Sequence, residues 1–172
     1  MQVARVAELS RYEGEEVRIQ GWLYNRRSSG KIAFLIVRDG SGFVQAVAVS
    51  NELDPETFKL CISIPQESSV VVDGRVRQDA RAAGGYELLL TGIQLVSAAE
   101  EYPITLKEHG VDFLLDHRHL WIRGPRQHAA LMVRHEVIAA AEGWLRSNGF
   151  IKVDAPILTP AACEGTSTLF ET

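Results

Sequence analysis

The chain has 172 residues, 46% of them hydrophobic and 23% charged, with a net charge of −4. That balance suits a soluble globular protein with room for one ordinary domain, or one small domain and part of another. The acidic balance excludes a global attraction to nucleic acid, so any such site must be a local patch with a modest salt-sensitive phosphate contribution.

The elements follow in chain order. Residues 3–11 make a short lead-in with one turn of helix, and Glu13 to Glu16 a polar turn. Residues 17–27 read as a long first strand. Val17, Ile19 and Leu23 share one face, and Arg18, Gln20, Trp22 and Tyr24 the other. Gly21 at mid-strand predicts a bend or bulge, as a small closed barrel needs at a corner. Residues 31–38 and 43–50 are β-branched and aromatic enough for a second and a third strand. Tight turns containing Ser28, Ser29 and Gly30, then Asp39 to Gly42, join these three.

Asp54 followed by Pro55 predicts an N-capped short helix, with Cys61 near its end as a small buried hydrophobe. Residues 69–77 and 86–96 supply a fourth and a fifth strand. Five strands with a helix between the third and fourth are the order of the OB-fold, a barrel that binds oligonucleotides across its second and third strands. We therefore place an OB domain at residues 1–97, where eleven Lys+Arg face twelve Asp+Glu.

Residues 98–117 lack clear periodicity and read as a docking linker, since Tyr102, Phe113, Leu114 and Leu115 are too apolar for a free tether. Asp116, His117 and His119 have no further ligand pair at a metal-site spacing, so they read as hinge residues that hydrogen-bond locally. From Pro125 to Asn148 runs one long amphipathic helix. Its stripe is Ala129, Met132, Val133, Val137, Ala140, Ala141, Trp144 and Leu145. It can cover its own domain or a second copy. Residues 150–156 read as a strand ending at Pro156. A helix and a strand cannot form a core alone, so 118–172 is expected to open a larger, incomplete domain. Cys61 and Cys163 fit no metal or redox spacing and read as free thiols of a reducing cytosol. No apolar run reaches membrane-span length and the start lacks a signal-peptide core, so the expectation is cytoplasmic, without membrane contact.

The functional signal is concentrated at residues 21–47. Arg26, Arg27, Lys31 and Arg38 oppose Asp39 alone, and Phe34 and Gln45 lie among them. Cations track phosphates, an aromatic ring stacks a base, and an amide reads a base edge, which points to single-stranded RNA. For Phe34 alone, composition favours a core aromatic over a stacking platform. Gln45 is expected to be exposed or ligand-facing, because a buried amide needs partners for both ends. For Arg26 and Arg27 a solvated strand end is the ordinary alternative.

Certain runs resemble a known family. They are Gly21-Trp-Leu-Tyr-Asn-Arg-Arg27, Phe34-Leu-Ile-Val-Arg-Asp-Gly40, Val44-Gln45, Arg118-His-Leu-Trp-Ile-Arg123, Gly149 to Pro160, and Glu164-Gly165-Thr166. In that order they resemble the N-terminal part of the asparaginyl-tRNA synthetases. These are class II enzymes that share an OB-fold anticodon domain with the aspartate and lysine enzymes. The implied fold is a five-stranded OB barrel, a hinge, and the start of a class II α+β catalytic domain, with the long helix and the motif 1 strand.

The resemblance implies anticodon contacts by Arg26, Arg27, Phe34, Gln45, Arg77 and Glu87. Phe34 would stack on a middle uracil, Gln45 would bond that base's edge, and Glu87 would accept from a guanine at the first position. Glu164 would hold the α-ammonium of the amino acid. The whole enzyme would use ATP and Mg²⁺ to make asparaginyl-adenylate and charge tRNA(Asn). It would dimerise through the 125–148 helix and motif 1. The ATP-binding arginines of motifs 2 and 3 do not occur in this sequence, so these 172 residues are expected to bind no cofactor and to be inactive alone, as a piece of a longer protein. Three alternatives stand beside this reading. One is an aspartyl-tRNA synthetase, possibly charging both tRNAs. Another is a non-catalytic OB-fold RNA-binding module. The third, general single-stranded DNA binding, fits poorly with the near-neutral OB half.

Overall fold

A computed structural model of the chain describes residues 1–105 and 107–157. They fall in two compact units, Met1–Lys107 and a second beginning at Glu108. The division lies inside the stretch 98–117 that the sequence suggested as a linker.

Among the described residues, the first unit contains six strands and one α-helix: β1 (Gln2–Val3), β2 (Glu16–Ser29), β3 (Ile32–Arg38), β4 (Phe43–Val49), α1 (Pro55–Ser63), β5 (Ser69–Gln78) and β6 (Tyr86–Ser97). The sheet order is β1-β2-β3-β4-β6-β5, and β5 pairs again with β2. The five long strands thus form a ring of pairings, which removes the exposed edges that an open sheet would present. The lead-in is more than a helical turn. β1 adds to β2 in parallel, at Gln2 opposite Val17, and a 3-10 helix follows over Val6–Tyr12.

Alternation fills the ring. Val17, Ile19 and Leu23 of β2 point inward with Ala33, Leu35 and Val37 of β3, Val44, Ala46 and Ala48 of β4, and their counterparts on β5 and β6. Each of these buried side chains contributes roughly 1.5–3 kcal/mol for the larger aliphatics. α1 begins where the sequence placed it. Asp54 Oδ1 accepts the Thr57 N–H at 2.9 Å, and Pro55 stands at the first helical position. Hydrogen bonding from the Thr57 side chain, and then from its N–H, holds the Asp54 carboxyl below its usual range. Cys61 of α1 is fully buried, and burial pushes its thiol up to about 11.

Of the bend or bulge expected at Gly21, the corner falls there and the bulge lies further along β2. The register slips at Tyr24, which lies between the paired residues Leu23 and Asn25. Gly21 serves instead for close approach, because a Cβ there would lie 2.3 Å from the Arg38 carbonyl oxygen. At this residue β2 passes from pairing with β5 to pairing with β3, since Gly21 faces Val70 and Trp22 faces Arg38. Gly74 makes the second corner, with a Cβ position 2.7 Å from the Leu89 oxygen.

The second unit contains α2 (Val111–Asp116), α3 (Arg118–Trp121) and α4 (Pro125–Ser147). His117 Nδ1 lies 2.8 Å from the Phe113 carbonyl oxygen, and its ring sits 4.3 Å from that of Phe113. α4 starts at Pro125 as predicted and ends before Gly149, whose φ of +83° takes the left-handed stop conformation. None of its side chains is buried among the described residues. Residues 150–156, read from sequence as a strand, pair with no strand among the described residues. A strand exists through its ladder, and β-propensity without a neighbour does not make one.

Candidate nucleic-acid interface

The outer face of the barrel carries two rows of side chains that cross all five long strands. The first row is Asn25 (β2), Ile36 (β3), Gln45 (β4), Glu87 (β6) and Arg77 (β5). The second is Arg27, Phe34, Val47, Leu89 and Arg75 in the same strand order. Alternation decides the two readings of Phe34. Ala33 and Leu35 take the inward positions, so the ring of Phe34 is half-exposed on the outer face rather than in the core.

Above these rows lies a cavity of about 490 Å³, lined among others by Arg27, Phe34, Gln45, Arg77 and Glu87. Five of the six anticodon residues suggested by sequence therefore converge. The Arg27 guanidinium lies 4.5 Å from the centroid of the Phe34 ring, a cation–π contact between directly opposed residues. Glu87 is 2% exposed and sits between two donors. Arg77 Nε donates to Oε1 at 3.0 Å, with a second Arg77 nitrogen on the same oxygen. Gln45 Nε2 donates to Oε2 at 3.1 Å. Because a carboxylate only accepts, this bond fixes which end of the Gln45 amide faces Glu87 and leaves Gln45 Oε1 as the acceptor for a ligand.

The sixth residue, Arg26, is placed elsewhere. Its Nε donates to the Ile64 carbonyl at 2.7 Å, and another nitrogen donates to the Ile62 carbonyl. It thus satisfies orphan carbonyls at the end of α1, where a cation also suits the helix dipole. Arg38, part of the same local charge excess, is nearly buried and bonds Glu67 at 2.7 Å. It spans β3 and the turn before β5. Glu164 lies outside the described residues.

Sequence reasoning missed Asp79 and Arg81, which line the same cavity. Asp79 Oδ1 accepts the Arg81 N–H at 2.9 Å, and the Arg81 side chain returns to both oxygens at 3.1 and 2.9 Å. These bonds hold the Asp79 carboxyl down at about 2. The signal was present in Asp79-Ala80-Arg81, since an Asp two residues before a turn residue is the spacing of an Asx turn. The cavity thus brings together three guanidinium groups and two carboxylates around two half-exposed aromatic rings, Phe34 and Phe43. Such a surface can stack a base, offer it an acceptor, and hold a phosphate near Arg27 or Arg81.

Known proteins match both units. A family model described as an OB-fold nucleic acid binding domain matches residues 17–96, and one described as class II (D, K and N) tRNA synthetases matches residues 110–172. A protein named asparagine–tRNA ligase from Desulforamulus reducens is 56% identical over 171 residues, which are 99% of this chain and 40% of that protein. One of the same name from Pelotomaculum thermopropionicum is 52% identical, with the same coverage. The crystal structure of asparaginyl-tRNA synthetase from Pyrococcus horikoshii, complexed with asparaginyl-adenylate, superposes with a TM-score of 0.84 at 38% identity. That match covers 99% of this chain and 40% of the other. The chain spans about two-fifths of the length of these relatives and belongs to the class II tRNA synthetases of the D, K and N group.

Proposed function

We propose that the chain is part of an asparagine–tRNA ligase and that its barrel reads the anticodon loop of tRNA(Asn). The observation that carries this is the outward ring of Phe34, set in the cavity beside Arg27 and Gln45. In this reading the middle base stacks on Phe34. Gln45 Oε1 accepts from its edge, for which a uracil N3–H is the complement. Arg27 follows the backbone and opens from the ring as the base enters. Glu87 is a positioning residue, because both its oxygens are engaged and its carboxylate is buried. This departs from a direct contact between Glu87 and guanine. Arg26 supports α1 instead of the loop.

For the whole protein, the names of the relatives support the joining of asparagine to tRNA; in this reading the acceptor is tRNA(Asn), and ATP and Mg²⁺ would supply activation of the amino-acid carboxylate. The same reading gives Glu164 the α-ammonium, α4 a place in a homodimer interface, and the protein a cytoplasmic location.

The test is binding of the chain to anticodon stem-loops carrying GUU, GUC or an unrelated triplet. We expect preference for GUU. Phe34→Ala is expected to weaken that complex by about 1–3 kcal/mol, the worth of one stacked base. Equal binding to GUU and GUC would favour an aspartate or dual-specificity enzyme, and indifference to triplet would remove the anticodon reading.

A further inference from the structure

A second cavity, of about 300 Å³, adjoins the first and shares Phe43 with it. Its other walls include Val6 and Leu9 of the 3-10 helix, Ser41 and Gly42 of the β3–β4 turn, and Tyr86 at the start of β6. The two cavities also share the connection from β5 to β6. Asp79, Arg81 and Ala82 line the first, and Gly84 the second.

The second cavity is held open before any ligand arrives. The Val6 N–H donates to Asp39 Oδ2 at 2.8 Å and the Ala7 N–H to Ser41 Oγ at 3.1 Å, which ties the 3-10 helix to the turn. Asp39 Oδ1 also accepts from Ser41 N at 2.8 Å, Ser41 Oγ at 2.7 Å and Gly42 N at 3.1 Å. A Cβ at Gly42 would stand 3.1 Å from Val6 Cγ1, so glycine keeps the two walls close. Phe43 is fixed in turn by an edge-to-face contact with Tyr24, at 5.0 Å between centroids.

The chemistry of the lining selects the occupant. No lining residue carries a charge, and the amides of Val6 and Ala7 are already bonded, so the cavity does not suit a phosphate. It offers two aromatic rings, aliphatic walls and serine hydroxyls. At the small end of the range for ligand pockets, it has the size and neutrality for one planar base. We propose that this cavity takes the base of a nucleotide flanking the triplet in the same anticodon loop. The inference rests on the anticodon reading above, because the shared Phe43 makes the second cavity continuous with the first.

The test uses the full chain and stem-loops with an abasic residue immediately 5′ or 3′ of a GUU triplet. Removing the base at one of the two positions should lower affinity by roughly five- to 150-fold, the range for one stacked base. Ser10→Trp, made at an exposed residue on the cavity wall, should weaken the intact loop and leave little further loss in the abasic one. 2-Aminopurine at the same position should be quenched by the unaltered chain, a readout that needs no variant. GUU preference with no penalty at either abasic position, or with no quenching, overturns the second site and leaves the anticodon reading standing. Loss of all triplet preference overturns both.

Discussion

The barrel and α4 hold similar stocks of apolar residues and treat them in opposite ways. In the barrel, the inward residues of the long strands meet one another inside the ring, and Ile19, Leu23, Leu35 and Leu88 are wholly buried. In α4, Leu131, Met132, Val133, Val137, Ile138, Trp144 and Leu145 are all exposed. A period of two became a core because the ring of pairings supplied the opposite wall. A period of 3.6 made a helix, since its hydrogen bonds are internal, and its stripe waits for a surface to cover it. Backbone pattern fixes an element, whereas burial needs a partner.

The largest effect that would break this contrast is a pair of truncations. Leu35→Ala should cost about 2–5 kcal/mol in urea unfolding, the cost of a lost buried leucine together with the cavity it leaves. In the single copy, at low concentration, Val137→Ala should stay within about 0.5 kcal/mol, because that side chain is 63% exposed there. Equal losses at the two positions would mean that the α4 stripe is covered in solution. A concentration-dependent loss at Val137 would identify a second copy as the cover, which is what the homodimer reading requires.

A smaller effect should appear on the reading face. Glu87→Gln keeps the shape of the buried carboxylate and removes its charge. The new amide can accept from Arg77 or Gln45 but must turn its donors toward the other. Hydrogen bonds to charged groups are worth about 1.5–3 kcal/mol each, so a stability loss of the order of 1–3 kcal/mol is expected. The Gln45 side-chain N–H resonance should shift as the amide is released. No shift at Gln45 would mean that Glu87 does not orient it.

The same face shows how far the sequence could be read. The strands, the N-capped helix and the order of the barrel were legible, because alternation, Asp54-Pro55 and the glycine turns are local signals. The site was legible in part. Phe34, Gln45, Arg77 and Glu87 lie on four strands; the first two stood out among the cations of residues 21–47, and the family resemblance joined Arg77 and Glu87 to them. The local excess of cations was misleading by about half. Arg26 serves the end of α1 and Arg38 a nearly buried pair with Glu67, because the residues each one meets lie 29 or more positions away. Asp79 and Arg81 were overlooked for the converse reason: their pairing is local, but their place beside Gln45 depends on β6 joining β4 in parallel. The absent strand at 150–156 belongs with α4: its propensity was legible, and it pairs with no strand among the described residues.

The smallest expected effect concerns the Asp79–Arg81 turn. Arg81 holds the Asp79 carboxyl at about 2, first by its side-chain hydrogen bonds and then through its backbone N–H. A carboxyl depressed in the folded state contributes stability that is present above its unfolded value, about 3.9. That contribution is lost as pH falls toward about 2. The turn should therefore keep its form at neutral pH and loosen only in that acid window. An NMR titration of the Asp79 carboxyl should give a midpoint near 2, and Arg81→Ala should return it most of the way to the ordinary carboxylate range. The surrounding amide shifts, from Asp79 to Gly85, should move with the same midpoint while that of Leu35 stays still. A midpoint near 4 in the unaltered chain would mean that the Arg81 side chain is not held on Asp79 in solution. Its guanidinium would then be available to the phosphates of a bound loop without first breaking an ion pair, and the affinity for the stem-loop should depend more steeply on salt.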